Sequence, residues 1–144
     1  MLSENDISSL LESAAAAREN AYAPYSGFRV GAALLCASGK IYVGVNVENI
    51  SFGGTICAER AAVCAAVAAG ERAFSALAVT AGSSTVTPCG ICRQVLSEFS
   101  KDGELVVICG VDGGYKTFSL DNLLPEAFAQ FEPEGKESSC RPKA

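Results

Sequence analysis

Three cysteines of this sequence stand at spacings that suit a metal ion. Cys89 and Cys92 are separated by two residues, and Cys57 lies upstream in a second segment of similar character. Three protein ligands with one open position are typical of catalytic rather than structural zinc. A water molecule at that open position has a pKa of about 7, so hydroxide is available at neutral pH. We therefore predict a Zn²⁺ site with the ligands Cys57, Cys89 and Cys92.

Both cysteine segments are predicted to begin a helix. Thr55 can cap the first helix and Thr87 the second, and Pro88 suits a first helical position. Backbone N–H groups at a helix start lack partners within the helix, and the helix dipole favours negative charge there. Thiolates in such positions have a lowered pKa. Two helix starts that face each other would present three thiolates to one cation.

Glu59 is the candidate proton carrier. It lies two residues after Cys57 on the same first turn, so its carboxylate can reach the open position without being a ligand. The chain contains no histidine, which excludes imidazole mechanisms and histidine metal ligands. Any general acid or base must then be a carboxylate, Lys, Tyr or Cys.

The cysteine pair also has simpler interpretations. Two cysteines separated by two residues fit a structural zinc half-site, a redox pair or chance. A structural site of four thiolates needs a further cysteine, and Cys64 lies two turns along its predicted helix. A thioredoxin-like pair would follow the first strand of a βαβ unit, whereas this pair follows the third predicted strand. The second helix start with Cys57-Ala58-Glu59 favours the catalytic site.

The composition indicates one ordinary globular domain. The chain has 144 residues, of which 49% are hydrophobic and 19% charged, and its mean hydropathy is +0.27. These values exclude a disordered chain and favour a well-filled core. The net charge of −5 argues against nucleic acid as the partner, because proteins that follow a phosphate backbone usually carry the opposite sign.

The cysteines and the N-terminus favour a cytoplasmic protein with reduced thiols. The seven cysteines are an odd number, and the chain starts without the basic and apolar runs of a signal peptide. No apolar run reaches the roughly 18 residues of a membrane span, so we expect no membrane association. We expect Cys36, Cys64 and Cys109 to be buried apolar residues and Cys140 to lie in a polar tail.

The elements needed to position these residues follow from hydrophobic periodicity. We predict helices over 3–20, 56–69 and 88–100, and strands over 28–37, 40–47, 76–81, 105–109 and 115–118. This order is typical of a three-layer α/β/α sandwich around a mixed five-stranded sheet. The connection between the last two strands is too short for a crossover helix, so they should be antiparallel. Residues 1–131 would form a single domain and 132–144 a polar, flexible tail, and the Ala-rich helix 56–69 should be central.

Several motifs of this chain resemble the zinc-dependent cytidine deaminase family. They are Cys57-Ala58-Glu59-Arg60 and Pro88-Cys89-Gly90-Ile91-Cys92-Arg93-Gln94. Residues 23–28, 44–49 and 123–128 extend the likeness to the small homotetrameric class. The resemblance implies hydrolytic deamination of cytidine and deoxycytidine to uridine and deoxyuridine plus ammonia, in pyrimidine salvage. In that reaction zinc-bound hydroxide attacks C4 while Glu59 carries protons to N3 and to the leaving amino group.

The resemblance also implies roles for residues outside the metal cluster. Asn46 and Glu48 would bind the ribose hydroxyls, which agrees with two polar side chains at a strand end that point the same way. Phe28 would pack on the pyrimidine, and backbone groups near Ala58 would hold the edge of the base. Phe128 would come from a neighbouring subunit, which implies a homotetramer with shared active sites.

Arg60 is implied to compensate the charge of the metal centre. Zinc with three thiolates carries a net negative charge that opposes hydroxide formation, and a guanidinium that donates to sulfur offsets it. Arg93 could act in the same way or be a surface residue. Phe52 stands where the family often has tyrosine, so this chain lacks that hydroxyl and any contact that the hydroxyl would make across a subunit interface.

Three other functions share part of this pattern. A blasticidin-S-type deaminase has the same zinc core, but Glu48-Asn49 and Arg60 favour a nucleoside deaminase. A nucleic-acid-editing deaminase conflicts with the acidic pI of about 4.7 and with antiparallel final strands. A non-catalytic module could use the zinc for folding alone. The expected partner is thus a small nucleoside rather than nucleic acid or a membrane.

Overall fold

The computed structural model describes residues 1–100 and 104–129. The predicted tail, with Cys140, and the predicted helix end at residues 101–103 lie outside the described residues. The helices are Glu4–Arg18 (α1), Ala58–Ala68 (α2), Gly90–Phe99 (α3) and Leu120–Leu123 (α4). The strands are Gly31–Cys36 (β1), Ile41–Val45 (β2), Phe74–Thr80 (β3), Val106–Val111 (β4) and Gly114–Ser119 (β5). A short 3-10 turn covers Phe52–Gly54.

The strands form one mixed sheet in the order β2-β1-β3-β4-β5. Strand β1 is antiparallel to both β2 and β3, and β3 is parallel to β4. Strand β5 pairs antiparallel with β4, with Val106 opposite Ser119 and Val111 opposite Gly114. The mixed five-stranded sheet and its antiparallel last pair are confirmed.

Helices cover both faces of the sheet. Helix α1 starts at a capping box between Ser3 and Asp6 and buries one apolar side against one face. Helices α2 and α3 cover the other face. The core on the α1 side consists of Ile7, Leu10, Ala14, Ala33, Ala76, Ala78 and Ile108. The larger core on the α2 side includes Leu34, Ala62, Ala66, Leu77, Val79, Leu96 and Val107.

Helix α2 lies unusually close to strand β2 because Gly44 faces it. A Cβ atom on Gly44 would fall within 3.0 Å of the Ala58 carbonyl oxygen and the Ala62 nitrogen, closer than real Cβ atoms come to other atoms. Ala58 is the first residue of α2. The lack of a side chain at Gly44 thus fixes the depth at which this helix start sits on the sheet.

The prediction that α2 is a central helix is wrong for the single chain. Its sheet-facing side is buried, but Cys64, Ala65 and Ala68 are exposed. The predicted burial of Cys64 is therefore wrong as well, because this residue points away from the sheet. Cys36 and Cys109 are buried, as predicted. None of the helices in the described part of the chain is long and apolar enough to cross a membrane.

Candidate active site

The three predicted metal ligands meet at one point. The Sγ atoms of Cys57, Cys89 and Cys92 all lie within 4.8 Å of one another, and those of Cys57 and Cys89 are 3.8 Å apart. Two ligands of a tetrahedral zinc ion with Zn–S bonds of about 2.3 Å are themselves about 3.8 Å apart. The donor set therefore fits Zn²⁺ in both chemistry and spacing.

Two of the ligands lie at the very start of their helices. Cys57 is the N-cap of α2 and Cys89 the N-cap of α3, each with extended backbone, and Cys92 lies in the first turn of α3. The prediction that Thr55 and Thr87 cap these helices is wrong. Thr55 ends the preceding 3-10 turn, and the Thr87 hydroxyl accepts a hydrogen bond from α3. The extended backbone directs the two cysteine side chains ahead of their helices and toward each other.

The loop that leads to Cys57 is held by short β-type pairings. Val47 exchanges two backbone hydrogen bonds with Ile56, at 2.9 and 3.0 Å. On the other side of this strand end, Glu48 N donates to the Tyr22 carbonyl at 2.8 Å. The start of α2 is thereby fixed from the loop as well as from the sheet.

The thiols of Cys57 and Cys92 differ in acidity. Hydrogen bonds from Cys92 and Arg60 lower the pKa of Cys57 to about 5, against the opposing effect of burial. The hydrogen bond to Cys57 and burial both raise the pKa of Cys92. Cys57 therefore gives up its proton more readily than Cys92.

Glu59 is almost fully buried beside these thiols. Only 4% of its surface is exposed, and it lies in the first turn of α2. Burial is the main cause that raises the pKa of its carboxyl group, and the charge on Cys57 adds to it. A carboxyl group with a raised pKa can both take and give a proton near neutral pH, which suits a general acid and base.

Arg60 contacts the thiol cluster directly. Its Nη2 atom donates to Cys57 Sγ at 3.5 Å and lies 3.4 Å from the Thr55 carbonyl oxygen. Its buried Nε atom has no hydrogen-bond partner among the described residues. This contact places a positive charge against the Cys57 sulfur, whose pKa is lowered. The compensating role of Arg60 stays a prediction.

Asn46 faces the chain segment that carries Phe28. Its Oδ1 atom accepts a hydrogen bond from Val30 N at 2.8 Å, and its Nδ2 atom donates to the Phe28 carbonyl at 2.7 Å. Phe28 is 44% exposed, so its ring is not a core residue. The amide of Asn46 thus fixes the backbone that directly follows this ring. The role of Asn46 toward a substrate stays a prediction.

Glu48, two residues after Asn46, also contacts the chain segment that precedes Phe28. Its carboxylate accepts hydrogen bonds from the backbone of Tyr25 and Ser26 and from the Ser26 hydroxyl, at 2.9, 3.0 and 2.6 Å. The bonds from Ser26 are the main cause that lowers the pKa of Glu48. Together with Phe52 and Thr55 these residues line an open groove of about 330 Å³.

Three polar residues with structural contacts in this region were given no definite role from the sequence. The Ser26 hydroxyl joins Glu48 to the Phe28 backbone, whose N–H donates to it at 2.9 Å. Arg93 donates to the Thr87 hydroxyl and to the Pro88 and Leu123 carbonyl oxygens, and Gln94 donates to the Phe128 carbonyl oxygen. No contact of Arg93 with a thiol is found among the described residues. All three lie inside the motifs quoted above, but each has one partner that is at least 22 residues away in sequence, namely Glu48, Leu123 and Phe128.

The exposed aromatic residue Phe128 lies next to this network. Its ring is 70% exposed, although its carbonyl oxygen accepts a hydrogen bond from Gln94 at 2.9 Å. Ala58, in contrast, is fully buried, so it offers only backbone atoms to a ligand. The structure thus brings the predicted ligands, Glu59 and Arg60 into one cluster and leaves Phe128 pointing outward.

Comparison with known proteins gives a consistent result. Residues 4–109 match the family model described as the cytidine and deoxycytidylate deaminase zinc-binding region. Cytidine deaminase of Sporosarcina psychrophila is 45% identical over 126 residues, which are 87% of this chain and 93% of that protein. Probable cytidine deaminase of Dictyostelium discoideum is 42% identical, over 97% of this chain and 98% of its own length. The crystal structure of cytidine deaminase from Burkholderia pseudomallei has a TM-score of 0.78 at 45% identity, covering 88% of this chain and all of that one.

Proposed function

Because the chain belongs to the cytidine and deoxycytidylate deaminase family, we propose that it hydrolyses cytidine and deoxycytidine to uridine and deoxyuridine with release of ammonia. The observation that carries this proposal is the meeting of three thiols beside a buried glutamate. Cys57, Cys89 and Cys92 can hold one cation, and Glu59 can exchange protons next to it. No imidazole is needed for this arrangement.

Zn²⁺ is the cation that this donor set suits. When bound, it supplies a Lewis acid that makes water a nucleophile at neutral pH. Cys57, Cys89 and Cys92 would hold it, which leaves a fourth position for water and substrate. Arg60 donates to Cys57 Sγ and so offsets part of the thiolate charge.

Glu59 would carry the protons of the reaction. It accepts a proton from the attacking water and donates it to N3 of the pyrimidine as the C4–O bond forms. It then takes the proton of the new C4 hydroxyl group and delivers it to the 4-amino group, the C4 carbonyl forms as the C4–N bond breaks, and ammonia leaves. Its raised pKa, which results mainly from burial, allows it to hold the proton between these steps.

The sugar and the base would be held by the loops around this cluster. Glu48 has both carboxylate oxygens aligned by Tyr25 and Ser26 and retains lone pairs for a sugar hydroxyl. Asn46 would assist it, Phe28 would pack on the pyrimidine, and the backbone at Ala58 would bind the base edge. The fixed orientation of Glu48 lowers the entropy cost of binding a hydroxyl group.

Assembly into a homotetramer would complete the site. Phe128 and Phe52 have rings that are 70% and 75% exposed, and the outer side of α2 presents the small residues Cys64, Ala65 and Ala68. Large exposed aromatics on one chain indicate an interaction surface. We expect Phe128 of one subunit to contact the site of another, and light scattering to give four times the chain mass.

The cellular setting follows from the same chemistry. A three-thiolate site needs reduced cysteines, which favours the cytoplasm. Conversion of cytidine to uridine would serve pyrimidine salvage. We take residues 1–131 as the single catalytic domain and 132–144 as a tail outside it.

Two assays on one preparation test this function. The purified chain should contain about one zinc per chain by elemental analysis. It should release ammonia from cytidine and deoxycytidine, with loss of the 4-aminopyrimidine absorbance, and leave cytosine unchanged because cytosine lacks the sugar. Full zinc occupancy without cytidine turnover would refute the proposal, and turnover of blasticidin S alone would assign the chain to that related activity.

A further inference from the structure

Two consecutive residues of α3 hold the chain segment that follows α4. Arg93 Nη1 donates to the Leu123 carbonyl at 2.7 Å, and Gln94 Nε2 donates to the Phe128 carbonyl at 2.9 Å. Both residues follow directly after Cys92 on the same helix. The start of α3 therefore carries two of the clustered thiols and also binds the segment 123–128.

The guanidinium of Arg93 also holds the approach to Cys89. Its Nε atom donates to the Pro88 carbonyl at 2.7 Å and its Nη2 atom to the Thr87 hydroxyl at 3.1 Å. A planar group with donors in fixed directions thus connects the residues before a ligand to the end of α4. If residues 87–88 or the end of α4 moved, the Arg93 guanidinium would lose hydrogen bonds to one of them.

We call the hydrogen bonds to the Leu123 and Phe128 carbonyl oxygens the two anchors. The segment between them contains a turn with an unfavourable backbone conformation. Glu126 has a φ of 55°, in the left-handed region that residues other than glycine rarely adopt. Such backbone conformations persist where the surroundings leave no alternative. The anchors at Leu123 and Phe128 stand on either side of this turn and hold it in place.

These anchors fix the backbone of Phe128 while its ring remains 70% exposed. We propose that Arg93 and Gln94 are positioning residues that set the direction in which Phe128 is presented to a second copy of this chain. This inference rests on the proposed function, in which Phe128 completes the site of a neighbouring subunit. Gln94 then acts in the chain that contributes the ring, and its effect appears at the metal centre of another chain.

The first test is Gln94→Glu, which keeps the side-chain shape but removes both amide donors. We expect KM for cytidine to rise roughly twofold to tenfold, the range for loss of one hydrogen bond, with kcat and zinc content close to the parent values. Ser97→Ala is the matched control. Its hydroxyl lies 3.3 Å from Gln94 Nε2, so this variant removes a contact of Gln94 without touching Phe128. It should leave KM unchanged.

The second test asks in which chain Gln94 acts. Chains that carry Glu59→Gln are co-expressed with chains that carry Gln94→Glu, using two affinity tags to isolate mixed assemblies. Every active site in such an assembly belongs to a Gln94→Glu chain, but some of these sites receive Phe128 from a chain with intact Gln94. We expect a kinetic component with the KM of the parent.

The outcomes separate the two proposals. A raised KM in Gln94→Glu that returns to the parent value in mixed assemblies supports the inference. An unchanged KM in Gln94→Glu, or a raised KM that persists in every mixed assembly, overturns it. If the parent chain itself fails to deaminate cytidine, the proposed function fails first, and the inference that depends on it fails with it.

Discussion

Replacement of Gly44 by alanine tests whether the sheet sets the position of the active site. The added Cβ atom would fall within 3.0 Å of the Ala58 carbonyl oxygen and the Ala62 nitrogen, and ordinary contacts begin at 3.4 Å. Both atoms belong to the backbone of α2, which cannot rotate away as a flexible side chain could. The helix start that carries Glu59 must therefore move off the sheet.

The required movement gives the size of the effect. To restore ordinary contact, α2 must retreat by roughly 1 Å, and a displacement of this size at reacting groups costs on the order of a hundredfold in rate. Overpacking of a close contact also costs about 1–3 kcal/mol of folding free energy. For a chain of 144 residues this corresponds to a fall in Tm of several degrees, on the order of 3–10 °C.

The assay combines kcat/KM for cytidine, zinc content and thermal unfolding. Gly114→Ala is the control, because Gly114 lies at the start of β5 and a Cβ atom there meets nothing within 4 Å. We expect this control to match the parent in all three measurements. If Gly44→Ala kept the parent kcat/KM and Tm, the argument that Gly44 sets the depth of α2 would be refuted. A lower Tm with unchanged kcat/KM would refute the link to the active site alone.

The remaining predictions concern single groups. Glu59→Gln should retain zinc but lose about 10²–10⁴-fold in turnover, since only the proton carrier is removed; a near-parent rate would contradict its role. Arg60→Ala should weaken zinc retention about 10–100-fold in chelator competition, because the thiolate charge loses its partner; unchanged retention would speak against this. Because bonds from Ser26 lower the pKa of Glu48, Ser26→Ala should raise it in a carboxyl NMR titration. The stabilisation from this carboxylate is present above its unfolded pKa and is lost as the pH falls through its folded pKa, so in the variant the stabilisation should be smaller and its loss should be complete at a higher pH. Removal of residues 132–144 should leave turnover and Tm unchanged, and a loss of either would place part of the catalytic domain beyond residue 131.

Local sequence patterns were sufficient for the elements and for the metal cluster. Among residues 1–100 and 104–129, periodicity predicted every helix longer than one turn and all five strands to within a few residues, because each element buries one face against a neighbour. The cluster was predictable because Cys89 and Cys92 share one helix start, and Cys57 with Glu59 stands at a second one. The short connection at residues 112–113 was enough to predict that β5 is antiparallel to β4.

Features that depend on distant partners were not predictable in this way. Thr55 and Thr87 look like helix caps by residue type, but the two helices start at Cys57 and Cys89, two residues further along the chain. Cys64 resembles a core residue in an Ala-rich segment, yet only the sheet determines which side of α2 is covered. Arg93 carries no local sign that its partners lie at Leu123 and before Cys89.

The position of β3 in the sequence has a consequence for how this chain unfolds. Cys57 and Cys89 are 32 residues apart, and the central strand of the sheet, β3, lies within that interval. A cation bound to both Cys57 and Cys89 would therefore close a loop of the chain that contains this central strand. By the chain-entropy relation that applies to disulfides, closing a loop of that length in the unfolded state is worth roughly 3–4 kcal/mol. A cation held by Cys57, Cys89 and Cys92 would then both activate water and stabilise the segment that contains the central strand. Catalysis and resistance to unfolding would depend on the same three sulfur atoms.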